Sequence, residues 1–160
     1  MSSSARGAWS PRRRERTAYR ATLVQAGADG ERLLSSDEIK LTMPRQRPFY
    51  GVAHLVLGGV AARLDLTVEH LEELELALDG LLDRHDGGAE VTLKLRVLES
   101  DLRAELGPFG GELRSELEGA PGDALSLRRL LDAVVDDYAV EERGDGSWIE
   151  LTKRIGSNGA

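Results

Sequence analysis

The chemistry open to this chain is bounded by the side chains it lacks. Its 160 residues include no cysteine and three histidines, His54, His70 and His85. A thiolate nucleophile, a disulfide framework and a Cys-ligated zinc or iron–sulfur site are therefore excluded. Three scattered histidines do not make a histidine-rich metal centre. The densest polar cluster is Asp83-Arg84-His85-Asp86. It closes an apolar-periodic segment, where the negative pole of a helix favours a cationic imidazole, so the cluster reads as a helix cap rather than a catalytic set. His70 stands among Glu69, Glu72 and Glu73, the pattern of a solvated helix face. No His-x-x-His, Ser-His-Asp or phosphate-loop motif occurs. Aromatic residues make up 4%, too few for a platform that stacks bases. No catalytic residues emerge from the chain, and no metal ligands.

The charge is divided. Residues 1–20 hold Arg6, Arg12, Arg13, Arg14, Arg16 and Arg20 against Glu15, a net +5, while the remaining residues carry 15 basic and 27 acidic side chains, a net −12. An acidic body is a poor nucleic-acid surface, so no direct nucleic-acid contact is expected of it. No stretch approaches the roughly 18 apolar residues of a membrane span, and the arginine run after Ser10 is not followed by the apolar region of a secretion signal. The expected location is the cytoplasm, with no membrane partner.

Any functional groups must be positioned by the elements that the hydrophobic pattern lays out. Residues 1–37 read as a basic extension and 156–160 as a frayed end, leaving 38–155 as the ordered domain. Ile39–Met43 alternates as a half-buried strand. Phe49–Leu64 repeats apolar residues at 52, 55, 56, 60 and 64, a helical spacing. Gly51, Gly58 and Gly59 interrupt it, each costing up to about 1 kcal/mol against alanine; they imply close packing against a neighbouring element or a smooth face for a partner. Thr67 is a natural N-cap. Behind it Leu71, Leu74, Ala77, Leu78, Leu81 and Leu82 form a stripe that predicts a helix to about Arg84. Residues 90–97 and 102–106 read as a hairpin, 107–123 as a loop with a helical turn at 112–118, 125–135 as a helix, and 138–142 with 148–153 as a last hairpin. Hairpins dominate, so the expected fold is α+β, a two-layer sandwich of a mixed or antiparallel sheet with helices on one face.

Several segments in this order carry a resemblance. Ile39-Lys40-Leu41-Thr42-Met43-Pro44, the run Leu64–Asp79, the run Leu125–Asp136 and Gly146–Lys153 together resemble the RsbW/SpoIIAB-type anti-sigma factor kinases, a branch of the GHKL ATPases with the Bergerat-type nucleotide fold. The family binds ATP through three boxes. In the first, a helix presents Glu and, four residues on, Asn, on one face. The Glu activates the attacking hydroxyl and the Asn holds Mg²⁺. The resemblance places Gly80 and Arg84 there, and neither can do the work; Asp79, the nearest carboxylate, lies about 100° round the helix. In the second box an Asp accepts from adenine. Pro108 stands in its place, Gly110 matches the first glycine and Glu112 replaces the second. In the third, glycines open a helix N-terminus to phosphate. Ala124 and Ser126 stand in for them, and Asp123 would repel the anion.

The resemblance therefore implies a degenerate kinase fold with no cofactor, ATP and Mg²⁺ entering only under a different register. What it leaves is protein binding. Family members hold a sigma factor or a STAS-domain anti-anti-sigma protein partly through the first helix. Here that is Tyr50 to Arg63, with Tyr50, His54 and Arg63 as the polar or aromatic candidates for contact. The implied role is a regulator in bacterial transcription or stress signalling. The alternatives are an active serine-protein kinase with divergent boxes, a dimerisation partner of an intact homologue, or a homodimer.

Overall fold

The computed structural model describes residues 38–84, 87–119 and 126–156. The basic arm, His85, Ala124 and the C-terminal residues 157–160 lie outside the described residues, and with them the expectations for the arm, the His85 cap and the third nucleotide box at Ala124.

Strand β1 (Glu38–Pro44) leads into helix α1 (Arg47–Arg63) and helix α2 (Val68–Leu82). Strands β2 (Glu90–Val97) and β3 (Asp101–Phe109) follow, then helices α3 (Glu112–Glu118) and α4 (Leu127–Val134), and a closing hairpin of β4 (Asp137–Arg143) and β5 (Gly146–Arg154). Local chemistry sets these limits. Pro48 lies in the first turn of α1, where its missing N–H costs nothing. The Thr67 hydroxyl accepts from the His70 N–H at 3.2 Å and opens α2, as its position predicts. Ser126 does the same for α4, accepting from the Arg129 N–H at 3.4 Å. Two segments differ from the sequence reading. Strand β3 continues through Gly107 and Pro108 to Phe109, with a register shift against β5 between Leu106 and Phe109; an irregular strand tolerates a proline that a regular central ladder would reject. Residues 112–118, read as a turn within a loop, form a helix that buries Leu113 and Leu117.

The sheet is antiparallel throughout, in the order β1-β2-β3-β5-β4. Its register aligns Leu41, Leu93, Leu106 and Ile149 across four strands, all of them fully buried. Ala53 and Leu57 of α1, Leu74 and Leu78 of α2 and Leu131 of α4 belong to the same core cluster as this row. The result is an α+β fold compatible with a two-layer sandwich. Period-2 alternation sends the intervening side chains to the other face, where ion pairs cross the strands. Glu105 accepts from Lys94 Nζ at 3.0 Å and from Arg143 Nη1 at 2.7 Å. Both cations also sit over the Trp148 ring, Lys94 at 5.0 Å and Arg143 at 4.8 Å from its centre. The indole lies on Gly107, where a Cβ would come within 2.6 Å of the ring, so only glycine fits that strand position. Among the described residues no helix is long and apolar enough to cross a membrane.

Burial alone would raise the Glu105 pKa, but the hydrogen bonds from Arg143 and Lys94 outweigh it and hold the carboxyl below its ordinary value. A depressed carboxylate stabilises the fold above its unfolded pKa and loses that contribution as the pH falls through the folded pKa. Glu105→Gln should therefore lower stability by about 1.5–3 kcal/mol at neutral pH. Urea unfolding of both proteins between about pH 7 and pH 3 should show the gap closing on the acid side.

Candidate functional site

Gly80, Arg84, Pro108, Gly110 and Ser126, described positions that the resemblance aligns with nucleotide boxes, make contacts within the fold. Gly80 lies where α2 meets α4. A Cβ there would sit 2.6 Å from Cδ2 of Leu130 and 3.5 Å from Cδ1 of Leu127, so leucines of α4 occupy the space a side chain at 80 would enter. Four residues on, Arg84 is largely buried and ion-paired with Glu116 of α3. Asp79, the nearest carboxylate, accepts a hydrogen bond from Nε2 of His54 at 2.7 Å. The Pro108 carbonyl accepts from Nη2 of Arg45, whose guanidinium lies 4.9 Å over the Phe109 ring. The Gly110 carbonyl accepts from the Leu113 N–H at 3.4 Å at the start of α3, and Ser126 caps α4. These residues are spread over α2, the end of β3 and the start of α4, and each serves packing, capping or charge neutralisation.

The first-helix candidates come together on one element. The Tyr50 hydroxyl donates to the Leu82 carbonyl at 2.6 Å. Its ring packs against the core half-buried. His54 reaches Asp79 one turn further along α1. Both polar tips thus latch α1 to α2, and Arg63 is exposed at the end of the helix. The buried face of α1 is Ala53, Leu57, Val60 and Ala61. That is rotated from the 52-55-56-60-64 spacing, and it leaves Val52 at 37% and Leu55 at 77% exposure. Residues 47–63 are apolar nearly all round, and in such a helix periodicity does not choose the inward face.

The glycines settle differently from the close-packing expectation. At Gly51, Gly58 and Gly59 an added Cβ would meet nothing within 4 Å. No neighbour within the described residues requires their smallness. Gly51, Val52, Leu55 and Gly59 are exposed together, at helical intervals of three and four that place them on one side. On α2, Val68 at 71% and Leu76 at 52% are exposed as well. Sequence reasoning missed Val52, Leu55, Val68 and Leu76; the surplus of apolar residues over what one buried stripe needs was the available signal.

A recess of about 140 Å³ opens on the sheet face away from the described helices, lined by Glu105, Glu141, Arg143, Trp148 and Glu150 among others. Its charges are already paired: Arg143 binds Glu105 and Glu141, and Glu150 pairs with Arg103 outside the lining. Among the described residues no group of three His, Asp or Glu side chains is placed to hold a metal ion.

If Leu130 fills the gap left at position 80, the two sites are energetically coupled. Gly80→Glu should be destabilising through overpacking of about 1–3 kcal/mol, partly offset by its better helix propensity. Combining it with Leu130→Ala should recover part of the loss, with a coupling of at least about 0.5 kcal/mol in a double-mutant cycle followed by urea unfolding. Strictly additive effects would show that α4 does not fill that space. Comparison with models of known protein families and with curated proteins finds no match for this chain.

Proposed function

We propose that this chain is a regulatory protein-binding module of the anti-sigma-factor type, with a degenerate GHKL-like fold. In this reading it acts in the cytoplasm and holds a sigma factor or a STAS-domain anti-anti-sigma protein on the outer face of α1 without consuming ATP. The observation that carries the reading is that face itself. Leu55 stands 77% exposed beside glycines that no contact among the described residues explains. Burying a leucine contributes about 1.5–3 kcal/mol, and glycine lets a partner approach the helix backbone closely. Acidic residues on the adjacent α2, Glu69, Glu72 and Glu75, would speed association with a basic partner surface. Independence from ATP is supported by the contacts at Gly80 and Arg84, where leucines and an ion pair occupy the first-box positions.

Substitutions on the face separate binding from folding. Leu55→Asp should leave urea stability within about 0.5 kcal/mol yet abolish co-purification with a sigma factor or STAS protein from the native host. Gly59→Ala should raise stability by about 0.5–1 kcal/mol while weakening the same capture. Capture of either partner class unaffected by Leu55→Asp would remove α1 as the site. Titration calorimetry should show no saturable Mg-ATP binding in the micromolar range; saturable binding there would favour the active-kinase reading instead.

A further inference from the structure

We infer that the basic stretch of the N-terminal arm docks in cis on the outer face of α2, beside α1. Helix α2 carries five acidic residues and no Lys or Arg. Two of the acids are engaged: Glu73 pairs with Lys153, and Asp79 with His54. Glu69, Glu72 and Glu75 take part in no ion pair among the described residues. They share one side of the helix with the exposed Val68 and Leu76, Glu72 lying between those two. The surface is thus an acidic stripe in which two exposed apolar residues alternate with carboxylates, and its complement is a segment with apolar side chains among cations.

Residues 12–24 of this chain have that composition. Arg12, Arg13, Arg14, Arg16 and Arg20 stand next to Tyr19, Leu23 and Val24, with Glu15 the one acid among them. The arm also joins the fold at a suitable place. Strand β1 starts at Glu38, and α1 follows it after a two-residue connection, Arg45-Gln46, and packs against the same core. A helix of 17 residues is about 25 Å long and a strand of 7 about 23 Å, so α1 returns to the level of Glu38. There α2 begins with Val68, Glu69 and Glu72. The 17 residues between Arg20 and Glu38 would span about 20–25 Å as a coil, which reaches the first half of α2. Tethering at this length gives an effective concentration of order millimolar, so even a millimolar intrinsic affinity leaves the face about half covered.

A docked arm would stand next to the α1 face and compete with a basic partner for it. That consequence, unlike the docking, rests on the function proposed above. The docking is measured with no partner present. The chain has no cysteine, so Ser10→Cys accepts a single nitroxide in the full-length protein. At low salt, amides of Val68–Leu76 should lose most of their NMR intensity while those of β2 keep theirs. The loss should vanish at about 1 M salt, where the Debye length is about 3 Å, and also when Arg12, Arg13, Arg14, Arg16 and Arg20 are all changed to Ser. Mixing nitroxide-bearing unlabelled chain with isotope-labelled chain should produce no loss; loss in the mixture would assign the contact to a second copy and overturn docking in cis. Uniform or absent broadening at low salt would overturn it too. Docking seen alongside partner capture indifferent to Leu55→Asp would uphold this inference and sink the partner-face reading, and the converse pair of results would do the reverse.

Discussion

The rotation of α1 about its own axis is the constraint on which the rest of the surface depends. The helix is apolar on nearly every side, and a single sheet layer can bury one of those sides. Two hydrogen bonds choose which. Tyr50 bonds the Leu82 carbonyl and His54 bonds Asp79, one turn apart on α1 and about one turn apart in the opposite direction on α2. Each contributes about 0.5–1.5 kcal/mol net. With these fixed, Ala53, Leu57, Val60 and Ala61 face the core, and Val52, Leu55 and the glycines face outward.

Helix α2 connects this surface to the rest of the molecule. One side meets α1, another carries Gly80 against the leucines of α4, and a third is tied to the sheet, where Lys153 of β5 donates to Glu73 and to the Val134 carbonyl at 2.9 Å. These two acceptors satisfy an ammonium that is otherwise buried at the edge of the core. At the far end of α2, Arg84 pairs with Glu116 and so links α2 to the short helix α3. Gly80 and Arg84 are thus the positions that join α2 to α4 and α3.

Much of this was legible in the sequence. The Thr67 cap, the leucine stripe of α2 and both hairpins follow from local rules that the tertiary structure did not override. The path of β3 did not follow, because Gly107-Pro108 reads as a break, and only the indole of Trp148 lying on Gly107 gives the glycine a place inside a strand. The inward face of α1 was hidden for a different reason. Its outward residues are as hydrophobic as its inward ones, and the decision rests on partners in α2 more than 20 residues away. Of the candidate site, Tyr50 and His54 were visible as polar groups on the first helix, but their tips are engaged within the fold. The exposed apolar face beside them was signalled in the sequence by a surplus of apolar residues, and its position came from three-dimensional placement.

The most direct test of the account puts a photo-reactive benzoylphenylalanine at Leu55 on α1 and, separately, at Lys40 on the sheet face away from the described helices, in the native host. A cross-link at position 55 to a sigma factor or STAS-domain protein, identified by mass spectrometry and missing at position 40, is the expected result. The same partner captured from position 40 and not from 55 would contradict the account, and so would position 55 yielding neither partner class.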